Sequence, residues 1–291
     1  MKWQRDAGLT GRIILTWALL LLVYLIFMGI LIALGLPSGF IILIAVGMCL
    51  VQYFFSDRLV LMSTGARIIE DDEEPDLHRM IEMLCQEANI PKPRIAVMQS
   101  PMPNAFATGR SPNHAVVAVT DSIMKLLSPE ELKAVLAHEL SHVKNRDILT
   151  MTFASFIAMI ASLIMNNFLF ASIFNREQGG AWIIAGIVAA IVWVLSTILM
   201  MALSRYREFA ADRGAAFMTN NPDALISALK KISGKMEYLP VQTKQAAEGA
   251  NAFYIIPAIS GQSLAALFST HPPLEKRIAN LEKVRAEIRG Y

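Results

Sequence analysis

The chain has 291 residues, of which 55% are hydrophobic and 17% charged, where ordinary soluble domains carry about 25% charged residues. This composition and a mean hydropathy of +0.46 exclude disorder, a collagen-like chain and an ordinary cytosolic enzyme, and leave a membrane protein with a large soluble part. The net charge of +2, from 26 Lys+Arg and 24 Asp+Glu, gives no reason to expect nucleic acid as a partner. The two cysteines, Cys49 and Cys85, make neither a disulfide framework nor a thiolate zinc site, so any metal must be held by His and carboxylates.

Residues 13–36 form an uncharged run of 24. As a helix rising 1.5 Å per residue it is about 36 Å long, enough to cross a hydrocarbon core of roughly 30 Å. It is too long for a signal peptide and lacks a cleavage site. Pro37-Ser38-Gly39 reads as a tight turn, and 40–55 is a second uncharged run. Acid at Asp71-Asp72-Glu73-Glu74-Pro75 precedes an amphipathic helix carrying Leu77, Met80, Ile81, Leu84 and Ala88. Short strands are expected at 95–97 and 115–119. Ser128-Pro129-Glu130-Glu131 is a helix start, with Ser at the N-cap, Pro at N1 and Glu at N3. That helix carries Leu132, Val135, Leu136, Leu140 and Val143 to about Lys144.

A third apolar run, 149–174, and a fourth, 180–203, flank Asn175-Arg176-Glu177-Gln178-Gly179. Polar residues scattered through the third leave open a hairpin that dips into the bilayer without crossing it. Residues 205–218 continue the fourth run as a helix. Asn221-Pro222 starts another, with Leu225, Leu229 and Ile232 on one face. Residues 235–262 are weakly patterned and read as a loop. Pro273 opens a last helix with Leu274, Ile278, Leu281 and Ile288. No Lys or Arg falls in 13–55 and only Arg176 falls in 149–203, so the positive-inside rule puts both termini and both soluble blocks on the cytoplasmic side. The expected organisation is an N-terminal hairpin (1–55), a first catalytic part (56–148), a second hairpin (149–203) and a second catalytic part (204–291).

His138-Glu139-Leu140-Ser141-His142 is an H-E-x-x-H pattern on the capped helix. Residues i and i+4 stack on one helix face. His138 and His142 can therefore aim two ring nitrogens at one ion, with Glu139 on the flank, in reach of a water but not of the ion. A catalytic zinc takes three protein ligands and lowers the pKa of its water towards 7, and Glu139 is then the general base. No Gly and third His follow the motif, so the third ligand is sought among carboxylates. Glu208 and Asp212 emerge from the fourth run at i and i+4. Glu208 as ligand and Asp212 as acceptor for a ligand imidazole form one coherent pair. A solvated face balanced by Arg205 and Arg207 is the alternative.

The motif His138-Glu139-x-x-His142, with Glu208-Phe209-Ala210-Ala211-Asp212, Asn104-Ala105-Phe106-Ala107-Thr108-Gly109 and 270–278 (Thr-His-Pro-Pro-Leu-Glu-Lys-Arg-Ile), resembles the HtpX family. These are membrane-bound bacterial heat-shock zinc metallopeptidases related to the CAAX prenyl protease Ste24. The likeness extends over nearly the whole chain. It implies about four transmembrane helices with a cytosolic, mainly-α, α+β gluzincin-like domain, and one Zn2+ per subunit held by His138, His142 and Glu208. It also implies an ATP-independent endopeptidase of the bacterial inner membrane. That enzyme would degrade misfolded or damaged membrane proteins from the cytoplasmic side, in quality control and the stress response.

Asn104, Ala105 and Phe106 read either as an exposed edge strand that takes substrate by strand addition or as a plain hairpin loop. His271 either stabilises an oxyanion or caps the final helix. Asn145 and Asp147 are candidates for orienting a ligand imidazole, and Arg277 reads as a solvated helix position. His78 and His114 have no partner pattern. Two other function classes stay open on the residues: a membrane scaffold or chaperone-like binder with structural zinc, and a zinc hydrolase of a lipid or non-protein amide.

Overall fold

The computed structural model describes residues 6–33, 38–174, 180–238, 240 and 271–290. Helices α1 (Ala7–Ala33) and α2 (Ser38–Thr64) come first. α2 bends by 68° between Ile42–Phe55 and Asp57–Thr64, where the uncharged run gives way to Asp57 and Arg58. Strand β1 (Arg67–Ile68), helix α3 (Pro75–Ala88), strands β2 (Arg94–Met98), β3 (Ala105–Thr108) and β4 (Val116–Thr120), and helices α4 (Asp121–Leu126) and α5 (Pro129–Asn145) follow. Two long helices, α6 (Asp147–Phe174) and α7 (Gly180–Thr219), precede α8 (Pro222–Glu237) and α9 (Leu274–Arg289).

Among the described residues, α1, α6 and α7 each hold a stretch long and apolar enough to cross a membrane, and α2 is a fourth when its bent halves count as one span. Leu20, Phe27 and Leu31 of α1 pack with Ile160 and Ile164 of α6 and with Ala185, Ala189 and Val192 of α7. Ile14 and Leu25 of α1, and Ile183, Ile187 and Ile191 of α7, remain half exposed or more. Large aliphatic groups outside, with Ala185 and Ala189 of α7 turned inward against the large side chains of α1 and α6, suit helices that lie in lipid and pack closely where small residues allow.

The soluble part is a four-stranded sheet in the order β1-β2-β4-β3, clasped by helices. β2 and β4 are parallel; β1 and β3 pair antiparallel at the two edges. Alternation along the strands divides the sheet's residues between two cores. Ile95, Ala105, Val117 and Val119 join α3 and α5 in the main core. Ala96, Met98, Phe106, Val116 and Ala118 pack with Val60, in the last part of α2. The main core also unites residues before and after the α6–α7 hairpin. Leu84, Val135, Leu136 and Leu140 share it with Ala215, Leu225, Leu229 and Leu281.

The expected strands at 95–97 and 115–119 are β2 and β4. β1 is only two residues long and left no alternation to read. The loop expected over 235–262 begins later than its pattern suggests: α8 runs to Glu237, because Met236 is buried in the main core. Apart from Tyr238 and Pro240, the remainder of that loop lies outside the described residues, as do 175–179.

Candidate active site

Helix α5 begins with the capping box: Ser128 Oγ accepts from the Glu131 N–H, and Glu131 Oε2 accepts from the Ser128 N–H at 2.8 Å. The same carboxylate accepts from Ser227 Oγ and Lys231 Nζ on α8, each at 2.7 Å, so the cap also fixes α5 against α8. α5 ends at Arg146, a left-handed residue (φ 56°) whose N–H bonds back to His142 and Val143 carbonyls. The helix breaks there, and Asp147 opens α6 beside the last turn of α5.

His138 and His142 thus lie on one face of a helix fixed at both ends. Their Nε2 atoms face each other at 3.2 Å. Glu208, on the long α7, offers Oε2 at 3.5 Å from His138 Nε2 and Oε1 at 3.5 Å from His142 Nε2. One ligand atom from each of the three side chains lies within 4.8 Å of the other two. Two imidazole nitrogens turned toward each other next to a carboxylate, with Glu208 Oε2 buried and accepting no well-directed hydrogen bond among the described residues, are a donor set for a cation. Two nitrogens and one oxygen are also a set that zinc accepts.

The other nitrogen of each imidazole faces a carboxylate. His138 Nδ1 lies 3.0 Å from Asp212 Oδ1, and His142 Nδ1 lies 2.5 Å from Asp147 Oδ2. Each carboxylate is in turn held by a buried arginine. Arg277 of α9 donates Nε to Asp212 Oδ2 and Nη2 to Oδ1, at 2.9 and 2.6 Å. Arg207 of α7 reaches Asp147 Oδ1 with Nη2 at 2.7 Å and donates Nη1 to the Asp147 carbonyl. A carboxylate on the far nitrogen fixes an imidazole's tautomer and direction, and here the carboxylates are themselves fixed.

Glu139 is 4% exposed. Burial pushes its carboxyl above the ordinary range, against the pull of the flanking His138 and His142. His271 Nδ1 lies 3.1 Å from Glu208 Oε2. The N-cap of α9 is Pro273, with no side-chain cap bond, so His271 meets the metal-binding group and does not cap the helix.

Arg277 is not solvated: it is 1% exposed, and the carboxylate of Asp212 outweighs burial to hold its proton more firmly than usual. Arg277 shares the inward face of its helix with Leu281 and Val284, and a lone charge on that face reads from sequence as solvated. Arg207 likewise points inward. Asn145, half-buried at the end of α5, makes no side-chain hydrogen bond to the candidate ligands among the described residues. His78 is buried with Nδ1 3.0 Å from Asp71 Oδ1, away from this site.

β3 is an edge strand, not a plain loop, and among the described residues it pairs with β4 alone. Phe106 is 3% exposed and packed beneath the sheet, and Ala105 and Thr108 are buried as well, so β3 is an edge by its pairing but not an exposed one. Asn104 is buried, with its backbone N–H and C=O both bonded to Thr120. Ala107, Gly109 and Arg110 line a small pocket together with His142, which brings the end of β3 to the metal-binding group.

Residues 71–285 match peptidase family M48. The chain is 53% identical over 290 residues to the "Protease HtpX homolog 2" of Methanosarcina acetivorans, covering 99% of each chain. It is 49% identical over 289 residues to the "Protease HtpX homolog" of Moorella thermoacetica, covering 97% of this chain and 96% of that one. Such relatives occur in archaea as well as bacteria. The fold is also that of a solved structure, Ste24p of S. mikatae, with a TM-score of 0.57 and 19% identity. That match covers 92% of this chain and 64% of the other.

Proposed function

This chain belongs to peptidase family M48, as an HtpX-type, membrane-associated metallopeptidase, and on that premise we propose that it is a zinc-dependent endopeptidase that cleaves misfolded or damaged membrane proteins. The supporting observation is the convergence of His138, His142 and Glu208 beside a buried Glu139. In this reading the three side chains hold one zinc, and zinc when bound supplies Lewis acidity at neutral pH. Glu139 takes the proton of the attacking water on its carboxylate and returns it to the leaving amine. Asp212 and Asp147 hold His138 and His142 with the correct nitrogen inward. The β3 edge, beside the site, takes substrate as an added strand. His271 and Arg277 keep Glu208 and Asp212 in place, and His271 is also a candidate to meet an oxyanion.

The two soluble parts act as one catalytic unit interrupted by the α6–α7 hairpin. A multi-pass protein of the cytoplasmic membrane, with this unit and both termini in the cytoplasm, fits the distribution of Lys and Arg. Glu208 stands on the same continuous helix as the fourth apolar run, which keeps the site at the bilayer surface. The test is the Glu139→Gln protein purified in detergent. It should retain one zinc and lose at least about a hundredfold in cleavage of an unfolded protein. Full activity, with contaminating protease excluded, refutes the role of Glu139. Glu208→Ala should lose zinc, and unchanged zinc content removes Glu208 from the ligand set. Turnover of folded soluble proteins as fast as unfolded membrane proteins argues against the quality-control reading.

A further inference from the structure

At the bend of α2, on the face of the sheet away from the main core, lies a cleft of about 730 Å³ with two unlike walls. One is apolar, made by Leu50, Val51, Phe54 and Phe55. The other carries four cations, Arg58, Lys92, Arg94 and Arg110, and one carboxylate, Asp57. Internal pairing uses two of the cations: Arg94 meets Asp57 at 2.7 Å and Lys92 meets Asp71 at 2.9 Å. Arg58 is exposed and meets no acidic group among the described residues. Arg110 lies over the Phe54 ring, its guanidinium carbon 5.6 Å from the centroid, so it stands at the seam between the walls.

A free phosphate would use the cations and leave the phenylalanines unused. An acidic peptide would use the cations but set its charge against Leu50, Val51, Phe54 and Phe55. A phospholipid has the same order of polarity as the cleft, with an anionic group at one end and hydrocarbon at the other. The position agrees: the apolar wall is the end of the uncharged stretch of α2, and the cations begin where that stretch stops. We propose that this cleft binds an anionic phospholipid, its phosphate between Arg58 and Arg110 and its acyl chains along Leu50, Phe54 and Phe55. The proposal rests on the reading that α2 lies in the bilayer. Arg110 also lines the pocket that reaches His142, so a bound lipid steadies the turn after β3 and keeps this edge of the sheet at the membrane.

The experiment uses the full chain in detergent, titrated with dioleoyl phosphatidylglycerol, dioleoyl phosphatidylcholine or inorganic phosphate, with adducts read by native mass spectrometry. Phosphatidylglycerol should bind more tightly than phosphatidylcholine. The Arg58→Gln/Arg110→Gln variant should bind phosphatidylglycerol about tenfold more weakly, whereas Arg79→Gln/Lys283→Gln, which removes two charges elsewhere, should bind it as wild type does. Arg58→Gln alone, at an exposed position, serves if the double variant folds poorly. Equal phosphatidylglycerol binding by wild type and the Arg58 variants overturns the proposal. So does inorganic phosphate that displaces the lipid with the same dependence on Arg58, which makes this a small-anion site. Displacement by an acidic unfolded peptide also overturns it and assigns the cleft to protein. Resistance of the chain to alkaline extraction from membranes is measured separately. Failed lipid binding in a chain that still resists extraction removes the lipid site and leaves membrane insertion standing.

Discussion

Arg277 and Asp212, 65 residues apart in the chain, are joined in the buried interior by two hydrogen bonds, Nε to Oδ2 at 2.9 Å and Nη2 to Oδ1 at 2.6 Å. Lysine cannot make that two-pronged grip, and removing the guanidinium leaves the buried Asp212 carboxylate with His138 but no fixed cation, at a cost of up to about 3–5 kcal/mol. Arg277→Met should therefore lower the unfolding midpoint sharply and reduce metal affinity about 10–100-fold through loss of His138 orientation. The double variant Arg277→Met/Asp212→Asn should regain much of the stability, because no bare charge is buried, yet keep the weak metal affinity. Denaturant unfolding in detergent and metal analysis of the same samples separate the two effects. Normal metal affinity in the double variant would show that the pair only supports the fold.

Removal of the metal is a second handle. A ligand that binds only the folded state stabilises it by mass action, and here it also relieves two imidazole nitrogens that face each other at 3.2 Å. Chelation should lower the thermal midpoint of the wild-type protein by several degrees and abolish proteolysis, and added zinc should restore both. Glu208→Ala should start near the chelated midpoint and respond little to chelator. An equal response in wild type and Glu208→Ala would mean that the stabilising metal sits elsewhere.

The half of the site that lies on one helix was legible in the sequence, and the half that depends on tertiary contact was not. His138, Glu139 and His142 are fixed by a period of four on a helix whose capping box is local, so spacing alone sufficed. Glu208 and Asp212 were readable as a pair for the same reason. Arg277 and Arg207 were not, because a buried arginine differs from a solvated one only by what surrounds it, and their partners lie 65 and 60 residues away. The apolar runs foretold α1, α6 and α7, whereas the bend in α2 appears only as a change from Phe55 to Asp57. β1, two residues at a sheet edge, exists by virtue of its neighbour and carries no pattern of its own.

Gly109 closes β3 with φ of +112°, and a Cβ there would meet the His114 carbonyl oxygen at 2.2 Å and Ala115 Cα at 2.8 Å. Both obstacles are backbone and cannot swing away. Gly109→Ala should therefore destabilise by more than the roughly 1 kcal/mol of an ordinary glycine exchange, and should displace Arg110 and the end of the edge strand. The expected reading is a raised KM for an unfolded substrate with metal content preserved. Unchanged KM in a folded Gly109→Ala protein would detach the β3 edge from substrate binding.

Glu131 gives a prediction in pH. Burial pushes its carboxyl up, but Lys231, Ser227 and the Ser128 N–H together outweigh burial and hold it down at about 2. A depressed carboxylate contributes stability that is complete above its unfolded value, roughly 4.5, and is lost as pH falls towards the folded value. The shift has an upper worth of about 3 kcal/mol. Lys231 is half exposed, so solvent screening reduces this to about 1–2 kcal/mol. Glu131→Gln should thus be less stable than wild type by that amount at pH 7, and the gap should narrow steadily between roughly pH 4.5 and pH 2. Unfolding midpoints of the two proteins across this range check it, with Lys231→Gln as the partner variant that should narrow in the same window. A difference that stays constant down to pH 3 would assign the contribution of Glu131 to packing at the α5–α8 contact and not to its charge.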